Sequence, residues 1–162
     1  MSDPNNINLS LMKGTKGVIM GVENYHSIAW GIAQSLSAAG ADLAFSYQSE
    51  TLKKRVEPLA KMLGSDLIYP CDVESSEDIE IFFNSIQNKW ESIDFLVHAI
   101  AFADKNELKG PYYNTTKENF IKTMLVSCFS FTEVVKEAQK IMISGGSIIT
   151  LTFDGSNRVM PN

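Results

Sequence analysis

Five short apolar runs alternate with four longer stretches of helical periodicity, and this alternation constrains the fold more than any other feature. The run Lys16 to Met20 (KGVIM) predicts a buried strand, and Ser27 to Ala39 follows with Ile28, Ile32 and Leu36 spaced for one helix face. Asp42 to Tyr47 (DLAFSY) is the second strand. Glu50 to Leu63 is a charged helix with Leu52, Val56, Leu59 and Leu63 in one stripe. Gly40 and Gly64 end these two helices. Asp66 to Tyr69 is a third strand, Ser75 to Trp90 a third helix capped near Ser75 or Ser76, and Asp94 to His98 a fourth strand. After a loop from Ala101 to Thr115, one long helix is expected from about Thr116 to Met142. Its Phe120, Met124, Phe129 and Phe131 read as core. Gly145-Gly146 then opens a fifth strand, Ser147 to Thr152. Strands and helices in strict alternation predict an α/β fold, a doubly wound parallel sheet with helices on both faces. Right-handed crossovers make the strand order 3-2-1-4-5, Rossmann-like.

Composition narrows the class of partner. A chain of 162 residues with 44% hydrophobic and 20% charged residues is expected to fold as one globular domain. Its net charge of -5 and the absence of a basic stripe argue against nucleic acid and against an anionic membrane surface. No apolar run reaches the roughly 18 residues that span a bilayer, so no membrane insertion is expected. Met1 to Ser10 is polar and lacks the pattern of a signal peptide. Cys71 and Cys128 stand apart, without CxxC spacing, so reduced thiols and a cytoplasmic location are expected. The sequons at Asn8 and Asn114 are then chance matches.

The chemistry-bearing residues cluster at strand ends. The turn after the first strand reads Gly21-x5-Ser27-Ile28-Ala29-x-Gly31, wider than the usual glycine-rich fingerprint. Glycine at a strand end lets a ligand approach the backbone, and Ser27 can cap a helix whose N-terminus faces a pyrophosphate. An ordinary capped strand–turn–helix explains the same residues. Gln48 follows the second strand, where a doubly wound dehydrogenase places an acid for ribose hydroxyls; a surface polar residue is the alternative. Asp72 can accept from an adenine amino group, or cap the next helix. His98 reads as a satisfied buried histidine, and with His26 it lacks a third partner at metal spacing, so no metal is expected.

Taken in order, Gly21 to Gly31, Phe45 to Glu50, Cys71-Asp72-Val73, Val97 to Ala103, Asp104 to Gly110 and Leu151 to Gly155 give the chain its resemblance. It resembles the NADH-dependent enoyl-acyl-carrier-protein reductases of bacterial type II fatty-acid synthesis, a divergent branch of the short-chain dehydrogenase/reductases. The resemblance covers roughly Lys13 to Asn162. It implies a flexible extension at residues 1–12 and a dinucleotide-binding domain at residues 13–162. Gly21, Ser27 and Ile28 would line the pyrophosphate and nicotinamide side. Gln48 would sit beside the adenosine, with Asp72 and Val73 at the adenine. Ala99, Ile100 and Ala101 would approach the ribose and nicotinamide, and Ala103 the acyl substrate. The implied cofactor is NADH/NAD, the partner an enoyl thioester on acyl-carrier protein, and the family's assembly a homotetramer. In the family, NADH delivers hydride to the β-carbon of the enoyl thioester, and a tyrosine and a lysine support the charge on its oxygen.

Three departures temper that expectation. Phe153 stands where a family tyrosine is usual and offers no hydroxyl, Phe129 replaces a common tyrosine, and Glu23 brings a carboxylate close to the expected phosphates. The Tyr-x6-Lys pair would follow Pro161-Asn162, so no catalytic residue is expected within this sequence, and the domain's later strands and helices are expected to be missing. Two readings therefore compete: the family's reductase activity, and a non-catalytic module that holds NAD or a partner without turnover. A classical short-chain alcohol dehydrogenase is disfavoured, because Val97-His98-Ala99-Ile100 replaces its Asn-Ala-Gly.

Overall fold

A computed structural model describes residues 11–159. Most of the expected extension, the Asn8 sequon and Pro161-Asn162 lie outside the described residues. The order is β1 (Lys16–Met20), α1 (Ile28–Ala38), β2 (Asp42–Tyr47), α2 (Glu50–Met62), β3 (Ile68–Pro70), α3 (Ser76–Trp90), β4 (Phe95–His98), α4 (Lys117–Met124), α5 (Ser130–Ala138) and β5 (Ser147–Thr150). The strands form one sheet in the order β3-β2-β1-β4-β5, and every pairing is parallel. This is the doubly wound order expected from the alternation.

Side chains alternate across a strand, so a sheet covered on both faces needs apolar residues at consecutive positions. Val18 and Met20 enter one core with Leu96, Ile79, Phe82, Phe83, Val134 and Ala138, beneath α3 and α5. Ile19 enters the other with Phe45, Val97, Trp30, Ala33, Val56 and Ala60, beneath α1 and α2. The expected α2 stripe is present: Val56 is buried, and Leu52, Leu59 and Leu63 pack on the same cluster. The α1 stripe is present in part: Ile32 and Leu36 pack half-buried on the same cluster. Ala29, Trp30 and Ala33 form the buried face, while Ile28 is 70% exposed. Ala29 and Ala33 let the helix backbone lie close to the sheet, Trp30 fills the space beside them, and Ile28 is left at the open N-terminal end.

Local chemistry sets the element ends. Ser75 caps α3, its Oγ accepting from Asp78 N at 3.2 Å and donating to Asp78 Oδ1 at 3.0 Å. Ser49 caps α2, and Thr116 caps α4. The turn before β5 requires glycine: a Cβ on Gly146 would lie 2.2 Å from the Asp94 carbonyl oxygen. β3 begins later than expected, at Ile68, and β5 ends earlier, at Thr150.

The long helix runs on from Lys117 but does not keep one phase. A π-helical turn, Leu125–Phe129, separates α4 from α5, and α5 ends at Ala138. Phe120, Met124 and Phe129, expected in the core, are 48%, 45% and 52% exposed. The inserted turn shifts the helical phase, so residues spaced for one face are split between two. Phe131 is half-buried and packs edge-on against His98.

His98 joins β4 to this segment and to β5. It is 1% exposed. Its Nε2 lies 3.0 Å from Ser130 Oγ and its Nδ1 3.3 Å from Thr150 Oγ1. Ser130 already donates its proton to the Val126 carbonyl at 2.6 Å. Ser130 therefore accepts from Nε2–H, and Nδ1 accepts from Thr150. Burial pushes the imidazole below its ordinary 6.5, so the neutral ring is the folded form.

Two outcomes follow from this packing. Phe82 is fully buried between Phe83 and Tyr69, so Phe82→Ala is expected to cost about 3–5 kcal/mol in urea unfolding. For His98 the unfolded chain binds the proton more tightly, so its contribution to stability is complete above pH ~6.5 and declines as pH falls toward the depressed folded value. Unfolding free energies measured across that interval should fall with acidification, and His98→Gln should flatten the profile. An unchanged slope in the variant would remove His98 as its source.

Candidate nucleotide-binding cleft

The C-terminal ends of the strands open into a cleft of about 520 Å³. It lies where the chain reverses direction across the sheet, between β1, which leads to β2 and β3, and β4, which leads to β5. Doubly wound sheets bind ligands at this point, because consecutive loops diverge there and leave a crevice.

Gly21 forms the floor. Its φ is 99°, and a Cβ would lie 2.1 Å from the Ala99 carbonyl oxygen. Only a hydrogen fits between the ends of β1 and β4, so the cleft reaches bare backbone. Ser27 occupies the N-cap position of α1 with extended backbone. The expected cap is not made: Ser27 Oγ donates to the Asn24 carbonyl at 2.6 Å, and Asn24 Oδ1 accepts from His26 N at 2.8 Å. The turn satisfies itself. The first N–H groups of α1 are left without a side-chain acceptor, beside the cleft lined by Ser27, Ile28 and Ala29.

The opposite end is polar. Gln48, exposed at the end of β2, donates from Nε2 to Asp72 Oδ2 at 3.3 Å. Asp72 Oδ1 accepts from Glu74 N at 3.0 Å, while α3 takes its cap from Ser75. Asp72 thus braces the β3–α3 turn rather than capping the helix, and it stands behind the wall rather than in it. Val73 is buried in the wall. Ala99, Ile100 and Ala101 line the cleft after β4. Ala103, expected at the substrate, is half-buried in the next loop and does not line it. Leu151, Thr152 and Phe153 close the side beyond β5, and Phe153 is 71% exposed.

Several wall residues were not legible in the sequence. Cys71 is among them; burial, with the Asp78 and Asp72 carboxylates nearby, pushes its thiol up to about 12. It stays protonated and serves as apolar wall, not nucleophile. Glu74 and Lys122 also line the cleft. Lys122 Nζ lies 3.1 Å from Glu74 Oε2 and 5.2 Å from the centre of the Phe102 ring. Ser127 in the π-turn holds the Phe102 backbone, accepting from its N–H at 2.9 Å and donating to its carbonyl at 3.1 Å. No sequence spacing links positions so far apart. α4 carries two lysines, Lys117 and Lys122, and nothing in the sequence singles out the second. Apolar walls, bare backbone and an open helix N-terminus suit a flat, phosphate-bearing ligand. No helix among the described residues is long and apolar enough to cross a membrane.

Comparison with known proteins agrees with this geometry. Residues 21–162 match the family model described as enoyl-(acyl carrier protein) reductase. The chain is 57% identical over 152 residues to enoyl-[acyl-carrier-protein] reductase [NADH] 2 of Rhizobium meliloti, covering 94% of this chain and 57% of that protein. It is 49% identical to the corresponding [NADH] FabI protein of Rickettsia typhi, over 94% of this chain and 58% of the relative. The crystal structure of FabI from Candidatus Liberibacter asiaticus superposes with a TM-score of 0.93 at 57% identity, over 94% of this chain and 59% of that one. The reductase of Anaplasma phagocytophilum, solved in complex with NAD, gives 0.90 at 51% identity, over 93% and 58%. The chain therefore spans somewhat more than half the length of these relatives. With the family model matched over most of its length and its fold shared with these structures, the chain belongs to the enoyl-acyl-carrier-protein reductase family.

Proposed function

We propose that these residues form the NADH-binding part of a reductase that saturates trans-2-enoyl thioesters carried on acyl-carrier protein. The observation that carries this reading is the cleft at the β1/β4 switch point. Gly21, Ser27, Ile28, Gln48, Val73, Ala99, Ile100 and Ala101 converge there. A relative 51% identical was solved with NAD, and the curated relatives are named for NADH.

The residues present fit that cofactor. Bare backbone at Gly21 admits the diphosphate, and the open N–H groups of α1 meet its charge. Gln48 offers a neutral amide at the adenosine ribose, and Asp72 orients it. Val73 packs on the adenine, while Ala99, Ile100 and Ala101 shape the nicotinamide side and exclude water. Ala103 lies toward the acyl chain. When bound, the cofactor supplies the hydride that reaches the enoyl β-carbon. The family's homotetramer is part of this reading: Phe120, Ile121, Met124 and Phe129 are each about half exposed and need cover.

Phe153 supports a second reading, binding without turnover. It lines the cleft where a hydroxyl would donate to a developing oxyanion, and it has none.

Titration with NADH, followed by fluorescence, tests the first requirement. Saturable binding is expected, tighter for NADH than for NADPH. Ala101→Trp, on the exposed wall, should abolish it while circular dichroism stays unchanged. Absence of binding by the folded wild type would overturn both readings. Addition of a crotonyl thioester adds a one-way test: NADH oxidation supports the reductase and overturns the module, whereas binding without oxidation is expected of these residues under both readings.

A further inference from the structure

Three charged side chains line the cleft: Glu23, Glu74 and Lys122. Two carboxylates against one ammonium leave the wall with one net negative charge. That is a poor environment for a ligand whose diphosphate carries two negative charges. Lys122 keeps the imbalance from being larger. It reaches from α4 to Glu74 in the β3–α3 turn at 3.1 Å, with its ammonium 5.2 Å from the centre of the Phe102 ring. Glu23 has no salt-bridge partner among the described residues.

We propose that Lys122 determines the affinity of the cleft for its anionic dinucleotide, by neutralising Glu74 and supplying the cation nearest the ligand. The proposal rests on the NADH-binding reading above. It goes beyond the wall residues that the strand ends supply, since Lys122 comes from a helix on the far lip. As a device for holding the fold together the pair is weak: the Lys122 and Glu74 side chains are 48% and 30% exposed, and such pairs contribute little in water. Toward a ligand the position is different. A 520 Å³ cleft has the volume of a sphere roughly 5 Å in radius, shorter than the Debye length of about 8 Å at physiological salt. Charges on its wall act on the ligand with little ionic screening.

This role predicts effects of opposite sign. Lys122→Met keeps the stem and removes the charge, leaving two carboxylates to face the diphosphate. Glu74→Gln frees the ammonium for the ligand. In NADH titrations at low salt, Lys122→Met should weaken binding about five- to tenfold, and Glu74→Gln should tighten it about threefold. Lys122→Arg should keep wild-type affinity. The spread between the variants should narrow in 0.5 M salt, since the Debye length there falls to about 4 Å. A purely structural clamp predicts something else. Both single substitutions would then weaken binding alike, Lys122→Arg would fail to rescue, and salt would not matter; that pattern overturns the proposal. Equal affinities in all four proteins overturn it too. A wild type that folds but does not bind NADH overturns the cofactor reading itself, and the role of Lys122 falls with it. Both side chains are exposed, so folded variants are expected, with circular dichroism as the check.

Discussion

The structure depends on how closely β1 and β4 approach at their C-terminal ends. The two strands stay in register through Met20 and His98, and Ala99 N still donates to the Met20 carbonyl at 3.0 Å. Only at Gly21 does the pairing stop, against the Ala99 carbonyl, with no room for a side chain. The loops beyond must then diverge, one toward α1 and the other toward α4. Their divergence is the cleft. Everything assigned to the site hangs from this point: the open end of α1 on one side, and the Ala99–Ala101 wall on the other.

The rim is assembled by weaker bonds between distant segments. Gln48 meets Asp72, Glu74 meets Lys122, and Ser127 holds Phe102. The first two join a loop following one strand to an element that follows another, and the third ties the loop after β4 to the π-turn later in the same connection. Individually such exposed contacts are worth little. Together they decide which polar groups face a ligand. The π-turn takes part directly, since it carries Ser127 and the cleft-lining Val126. Insertions of this kind recur at functional sites because they re-aim side chains without ending a helix. The far edge of the sheet is different in kind. β5 has β4 on one side and no strand on the other among the described residues, and Ile149 there is 51% exposed. An apolar strand with an open edge favours association with further structure.

Much of this was legible before any coordinates. The strand–helix alternation led to the parallel sheet in the order found, because each apolar run is too short for a helix and most are bounded by glycine or a cap. The α2 stripe was readable from its spacing, and His98 from its place at the end of a buried strand. The errors share one cause. The place of Ile28 in the α1 stripe, the continuous helix to Met142 and the core role of Phe120, Met124 and Phe129 were all inferred from periodicity. Periodicity says which residues share a helix face; it does not say which face meets the sheet, or whether the helix keeps one phase. Ser27 failed as a side-chain cap for a local reason: its hydroxyl is turned back to the Asn24 carbonyl, and no N–H of α1 donates to its oxygen.

The sequence by itself determined the fold class, the strand order and the loops that would line a cleft, because hydrophobic period, glycine placement and crossover handedness act locally and leave few alternatives. Only the tertiary structure decided the electrostatics of that cleft. Lys122 and Glu74 lie on different elements with no periodic relation, and their meeting at 3.1 Å follows from how α4 and the π-turn pack against the sheet. Charge pairing across a cleft is a property of three-dimensional distance, which a one-dimensional pattern does not encode.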